Sequence, residues 1–287
     1  MSEFHRAEDI IFFYEKESVA NHLFWQHLKS QPPNLSYIWI LVANLYEGIS
    51  KNFVRWIAHI VSTVEDDRIR CLIASQLDEE LGEGDYSRAH RLLLERFLEG
   101  LEPWKPETVE RLLIPGEELG KQAGKYYLSR NPYEALGAAL VGEVLAKQFD
   151  TSLYEEIKRQ DVHLNPWYLT WLTLHAELEV HHADDSLALA RLIPQSNSTL
   201  EAVSRGAMGM SAAFRGFLTD LYKIYSGQVN QLQAISVSSS TQGNACGSSG
   251  DSRAQAQLLT PFCFGLATND HTESADQQGF LNPKSKI

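Results

Sequence analysis

Residues 175–182 read His175-Ala176-Glu177-Leu178-Glu179-Val180-His181-His182. In an α-helix each residue adds about 100° of rotation, so Glu179 lies about +40° and His182 about −20° from His175. These three side chains therefore share one narrow face, one turn above another, while Glu177 and His181 point elsewhere. Two imidazoles and a carboxylate on one face form a nitrogen and oxygen donor set suited to iron, manganese or zinc. Taken alone, the same motif could be a solvated polar face near a helix end.

Outward from that stretch, residues 1–225 keep a helical period, and few runs alternate as strands do. The pattern predicts a first helix over 7–29, closed by Pro32 and Pro33. A second begins near Leu35 and carries Ile38, Leu41, Leu45 and, further on, Phe53, Trp56 and Ile60. A third spans 66–80, after which Gly82 and Gly84 loosen the backbone. A fourth covers 87–98, with Ser87 or Asp85 as its N-cap. Pro103, Pro106 and Pro115 punctuate a linker before a helix over 117–128. Asn131-Pro132 and Asn165-Pro166 each place proline at the favoured first position of a helix, predicting helices over 132–149 and 166–192. A last helix spans 198–225. The expectation is an all-α bundle of about seven helices in one domain, 1–225.

Composition changes near Ser226. From there to Ile287, Ser, Gln, Asn, Gly and Thr dominate and Trp and Tyr are absent. Such a segment buries too little apolar surface to offset its ordering entropy, which predicts a mostly disordered tail over 226–287. One apolar patch, 258–267, interrupts it. The whole chain has 287 residues and a formal net charge of −12, which repels phosphate and argues against a nucleic-acid partner. Cys71, Cys246 and Cys263 are scattered, forming neither a disulfide framework nor a thiolate metal site. No stretch approaches the ~18 continuous apolar residues of a membrane span, and the first ten residues are polar. The expected location is the cytoplasm.

Two further signals join the histidine stretch. Glu143 sits in Ala138-Ala139-Leu140-Val141-Gly142-Glu143-Val144, an apolar helix where a carboxylate is costly without a partner or a metal. The second is the acid-rich turn Asp78-Glu79-Glu80-Leu81-Gly82-Glu83-Gly84-Asp85, followed by His90. Acid-rich turns usually cap and solvate helices. In a bundle, however, Glu80 and His90 could face the same interior as Glu143 and His175, the plan of di-metal carboxylate proteins.

The set Glu80, His90, Glu143, His175, Glu179 and His182 resembles, in order and spacing, the ligand pattern of the heme-oxygenase-like diiron oxidases and oxygenases. These are relatives of the thiaminase-II and pyrroloquinoline-quinone-synthase families. The resemblance covers roughly residues 10–225, and the His-x3-acid-x2-His element is its most specific part. Glu179 stands where many members carry aspartate. Glu83 competes with Glu80 for the first position, and Glu47 is the one candidate for the additional early-helix glutamate that some members use. The resemblance implies a single heme-oxygenase-like bundle, two ferrous ions (iron–iron and manganese–iron pairs both fit the ligands), dioxygen as co-substrate and a homodimer. It also implies a small-molecule substrate with a free carboxylate.

Trp39, Tyr46, Phe53, Trp167 and Trp171, read as aromatics around the site, lean the expectation toward a fatty acid, for example oxidative decarboxylation to an alkene, with an amino acid next. Arg55 and Lys147 are the candidate cations for the substrate carboxylate. Three other readings stand beside this one. Cys71 would be the nucleophile of a metal-free, thiaminase-II-like enzyme. A non-enzymatic helical module would bind a partner through its acidic surface. A heme enzyme would use His22 or His27.

Overall fold

The computed structural model describes residues 4–160 and 164–241, the side chains of 176–184 and 228–241 excepted. Among the described residues there is no strand, and the all-α expectation holds. The helices are α1 (Ala7–Lys16), α2 (Leu23–Ser30), α3 (Leu35–Leu45), α4 (Lys51–Thr63), α5 (Asp67–Glu80), α6 (His90–Leu101), α7 (Ile114–Tyr127), α8 (Pro132–Arg159), α9 (Thr170–Leu192) and α10 (Asn197–Thr241).

Helix α8 is the axis of the bundle. Asn131 accepts a hydrogen bond from the Tyr133 amide, and Pro132 opens the helix, as the sequence predicts. Nothing in 149–159 breaks it, so it runs ten residues past the predicted end at Phe149. Its apolar residues from Ala135 to Ile157 are largely buried, against α1, α4, α7 and α9. A helix covered on several sides explains why its hydrophobic pattern is nearly continuous around Glu143.

The predicted first helix is two helices. At its middle, Ser18 accepts from the Ala20 amide and caps a short 3-10 turn, Val19–Asn21. Gln148 of α8 accepts from the Val19 amide at 2.9 Å and donates to the Tyr14 carbonyl at 3.2 Å. A side chain from another helix thus satisfies the backbone groups that the break exposes. α3 and α4 are joined by a π-helical turn, Tyr46–Ser50, a rare insertion often found beside functional sites. α10 continues beyond Tyr225, where the sequence predicts its end, to Thr241. The rest of the predicted tail, with Cys246, Cys263 and the apolar patch 258–267, lies outside the described residues.

Two predicted helix starts move. Asp85 caps a one-turn 3-10 segment, Tyr86–Arg88, and Ala89 in an extended conformation precedes α6, so His90 becomes its first residue. Asn165 accepts from the Trp167 amide, its carbonyl accepts from the Tyr168 amide, and Pro166 belongs to that turn; α9 opens four residues later, at Thr170.

Between α5 and α6 the chain reverses through Gly82, Glu83 and Gly84, all with positive φ (93°, 55° and 85°). Gly82 also leaves no room for a side chain, since a Cβ would lie 2.3 Å from the Asp85 carbonyl oxygen. This reversal brings the end of α5 back to the start of α6. Gly82→Ala is expected to destabilise the fold by about 1–3 kcal/mol, the range for backbone strain at one residue. Urea unfolding would read the loss, together with weakened metal binding as Glu80 shifts away from His90.

Candidate metal centre

Four of the six residues singled out in the sequence have described side chains, and all four line one cavity of about 90 Å³. Glu80 ends α5, His90 begins α6, Glu143 lies mid-way along α8, and His175 is in the second turn of α9. Glu80, His90 and His175 each offer a ligand atom within 4.8 Å of the others. His90 Nδ1 lies 3.1 Å from Glu80 Oε1, with the two side chains 7% and 15% exposed. The rings of His90 and His175 meet edge-on at 5.0 Å between centroids. Helix α9 is unbroken through positions 179 and 182; the side chains of Glu179 and His182 lie outside the described residues.

Supporting contacts orient the donors. His175 Nδ1 lies 2.8 Å from the Trp171 carbonyl oxygen. A carbonyl only accepts, so Nδ1 carries the proton and Nε2 carries the lone pair that can bind a metal. The Trp171 ring lies along the His175 ring at 4.1 Å. Gln76, one turn before Glu80 on α5, donates to Glu143 Oε1. The Gln76–Glu143 contact also marks where the cavity adjoins a second cleft, between α5, α8 and α9 and lined by Leu72, Leu140 and Leu189; Glu143 lines both.

The cavity contains three residues that sequence reasoning missed. Asp150, 5% exposed, lies two turns after Glu143 on α8. Its signal was the seven-residue spacing, which returns to the same helical face. Ser50 comes from the π-helical turn and Tyr127 from the last turn of α7. Tyr127 is fully buried; burial pushes its phenol well above the ordinary range, and the Glu143 and Glu80 carboxylates push it further. The hydroxyl therefore stays protonated.

The donor chemistry fits a metal. Glu80, Glu143 and Asp150 put three carboxylates on one half-closed cavity, and among the described residues no lysine or arginine lines it. Carboxylate oxygens so placed are hard donors that a divalent cation can bind. Imidazole with carboxylate oxygen is a set that iron accepts.

Several expectations are corrected. Glu83 turns outward to Arg88 at 3.1 Å, while Glu80 faces His90. Glu47 pairs with Lys51 at 2.7 Å on a surface cleft, away from the cavity. Arg55 lines that surface cleft, and Lys147 is exposed on α8; neither lines the cavity. Of the five aromatics, Phe53 and Trp171 line the cavity. Trp39 is buried elsewhere, Tyr46 donates to Glu95, and Trp167 is exposed under the Arg96 guanidinium at 3.7 Å. Cys71 is exposed on α5 and takes no part in the cavity, which leaves the metal-free nucleophile without support. His22 caps α2 and touches Thr219, and His27 packs edge-on against Tyr222; neither lines the cavity. Among the described residues, no helix is long and apolar enough to cross a membrane.

Residues 43–215 match the profile of a family described as an iron-containing redox enzyme. Two solved structures share the fold. One is a CADD-like protein of unknown function from Nostoc punctiforme PCC 73102, with TM-score 0.60 and 15% identity over 75% of this chain and 95% of that one. The other is a domain of unknown function with a heme oxygenase-like fold from Shewanella denitrificans OS217, with TM-score 0.59 and 15% identity over 76% and 91%. The bundle is thus heme-oxygenase-like. No curated protein matches significantly.

Proposed function

Because the chain belongs to the iron-containing redox enzyme family, we propose that it is a nonheme diiron oxidase or oxygenase that uses dioxygen to oxidise or cleave a small substrate bearing a free carboxylate. The observation that carries this reading is the convergence of Glu80, His90 and His175 within 4.8 Å, beside Glu143. Those four residues, with Glu179 and His182 from the sequence motif, would hold the iron. Bound iron supplies the electron transfer to dioxygen that no side chain can perform.

The protein's part is orientation and exclusion of water. The Trp171 carbonyl fixes the His175 tautomer, and Gln76 holds one oxygen of Glu143. Partners of this kind typically change metal affinity or activity about 10–100-fold when lost. Leu94, Phe149, Met210 and Phe214 wall the cavity with apolar surface, limiting side reactions with solvent. Because no lysine or arginine is among the described lining residues, a substrate carboxylate would find its positive partner in the metal. The cavity volume suits a compact acid of amino-acid size. An extended acyl chain would need the adjoining cleft beyond Glu143, so the amino-acid alternative moves ahead of the long-chain fatty acid.

The test is anaerobic loading with ferrous iron, then exposure to oxygen with a panel of amino acids and short and long carboxylic acids. About two irons per chain are expected, with oxygen uptake strongest on a compact acid. Trace metal and no uptake on any member would overturn the proposal; uptake confined to long-chain acids would overturn the size argument.

A further inference from the structure

Tyr127 has a role that metal ligation does not explain. Its ring is stacked on Trp56 of α4, 4.9 Å between centroids and 18° from parallel. Tyr127 lines the cavity beside Glu80 and Glu143. Trp56, 3% exposed, lines the surface cleft on the far side with Lys51, Arg55 and Gly124. The two most easily oxidised kinds of aromatic side chain thus form one continuous stack from the candidate metal cavity to the surface. Phe53, the other aromatic against Tyr127, meets it edge-on at 6.0 Å and cannot share its electrons as readily.

We propose that Tyr127 and Trp56 form a one-electron relay that carries a stranded oxidising equivalent out of the cavity to the surface cleft. The inference rests on the iron-dependent reading above, since an oxidant generated with dioxygen in the cavity is what the relay would discharge. That oxidant takes one electron from the Tyr127 phenol, and the hydroxyl proton passes to a cavity carboxylate. One electron then moves from the Trp56 indole to the phenoxyl, the proton returns, and the O–H bond is remade. The oxidised indole is refilled by a one-electron donor in solution, a thiol or ascorbate. Each cycle moves one electron inward and leaves the pair's protons unchanged. The relay matters when dioxygen reacts without substrate, because the oxidant would otherwise attack its own ligands.

The stack can be tested without metal. Azide radicals, generated by pulse radiolysis, oxidise tryptophan in the metal-free full chain, and the tryptophan radical absorption is followed as it converts to tyrosyl absorption. This reads the coupling of the two rings in the reverse direction, from indole radical to phenol. In the wild-type chain a fast, concentration-independent component is expected beside the slower conversions that start at the other tryptophans, and that component is lost in both Trp56→Phe and Tyr127→Phe. Both variants keep a six-membered ring in place, and circular dichroism checks their folding. A fast component that persists in both would overturn the relay.

A second arm uses iron-loaded protein mixed with oxygen in the absence of substrate and frozen for electron paramagnetic resonance. A tyrosyl signal that accumulates in Trp56→Phe and vanishes in Tyr127→Phe is expected. The same signal in Tyr127→Phe would overturn the assignment. Intact conversion in the first arm with no iron uptake in the second would remove the proposed function and leave the stack's electron transfer standing.

Discussion

His175→Ala is expected to lower the bound iron from about two ions per chain to about one or fewer, with the helix content unchanged. The imidazole lies between His90, at 5.0 Å, and the Trp171 ring, at 4.1 Å, so its removal takes a nitrogen donor from the centre of the cluster. Alanine is the strongest helix former, and position 175 is well inside α9, so the backbone has no reason to move. Gln76→Leu makes the useful comparison. It removes the Gln76 hydrogen bond to Glu143 while leaving every proposed ligand, and should cost about 10–100-fold in iron affinity, as outer-shell changes do. The two variants should therefore rank clearly, with His175→Ala the more severe. Iron analysis after gel filtration, with far-ultraviolet circular dichroism on the same samples, measures both. A full iron complement in His175→Ala would show that this histidine is not a ligand.

The sequence made some parts of this site legible because their cause is local. Asn131-Pro132 starts α8 by its own capping chemistry, and Asp66 caps α5 by accepting from the Arg68 amide. Glu143 was conspicuous because a carboxylate in an apolar helix is costly without a partner or a metal. The reversal that joins Glu80 to His90 was visible as two glycines, although only the structure shows all three φ angles positive. The hidden features have distant causes. The break at Ser18 depends on Gln148, well over a hundred residues away, and no proline or glycine marks it. The π-helical turn at Tyr46–Ser50 inserts a residue without disturbing the hydrophobic pattern, yet it puts both Ile49 and Ser50 on the cavity wall. The aromatic residues misled for a related reason. Helical spacing tells which residues are interior, but not which part of the interior, and Trp39 and Phe53 differ only in that.

Gly142 provides the sharpest link between packing and the site, because it precedes Glu143 and faces Tyr127. A Cβ at position 142 would lie 2.1 Å from the Tyr127 hydroxyl oxygen, whereas the next nearest atom, the ring carbon that bears that oxygen, is 3.4 Å away. The obstacle is a single atom. The phenol cannot yield, since Tyr127 is fully buried with its ring stacked on Trp56. In an ordinary helix interior, glycine to alanine gains about 0.5–1 kcal/mol. Here Gly142→Ala is expected to destabilise by about 1–3 kcal/mol, the usual cost of overpacking. In a Tyr127→Phe background the clash is absent and the same substitution should recover its ordinary sign. The double-mutant cycle should then show a coupling of about 1.5–4 kcal/mol in urea unfolding, at the upper end of the range for residues in contact. Additive effects would mean that the hydroxyl does not occupy the space above Gly142. The cycle also has a functional reading: if Gly142→Ala relieves its clash by displacing α8, Glu143 moves with it, and iron binding should weaken in the single variant and return in the double one.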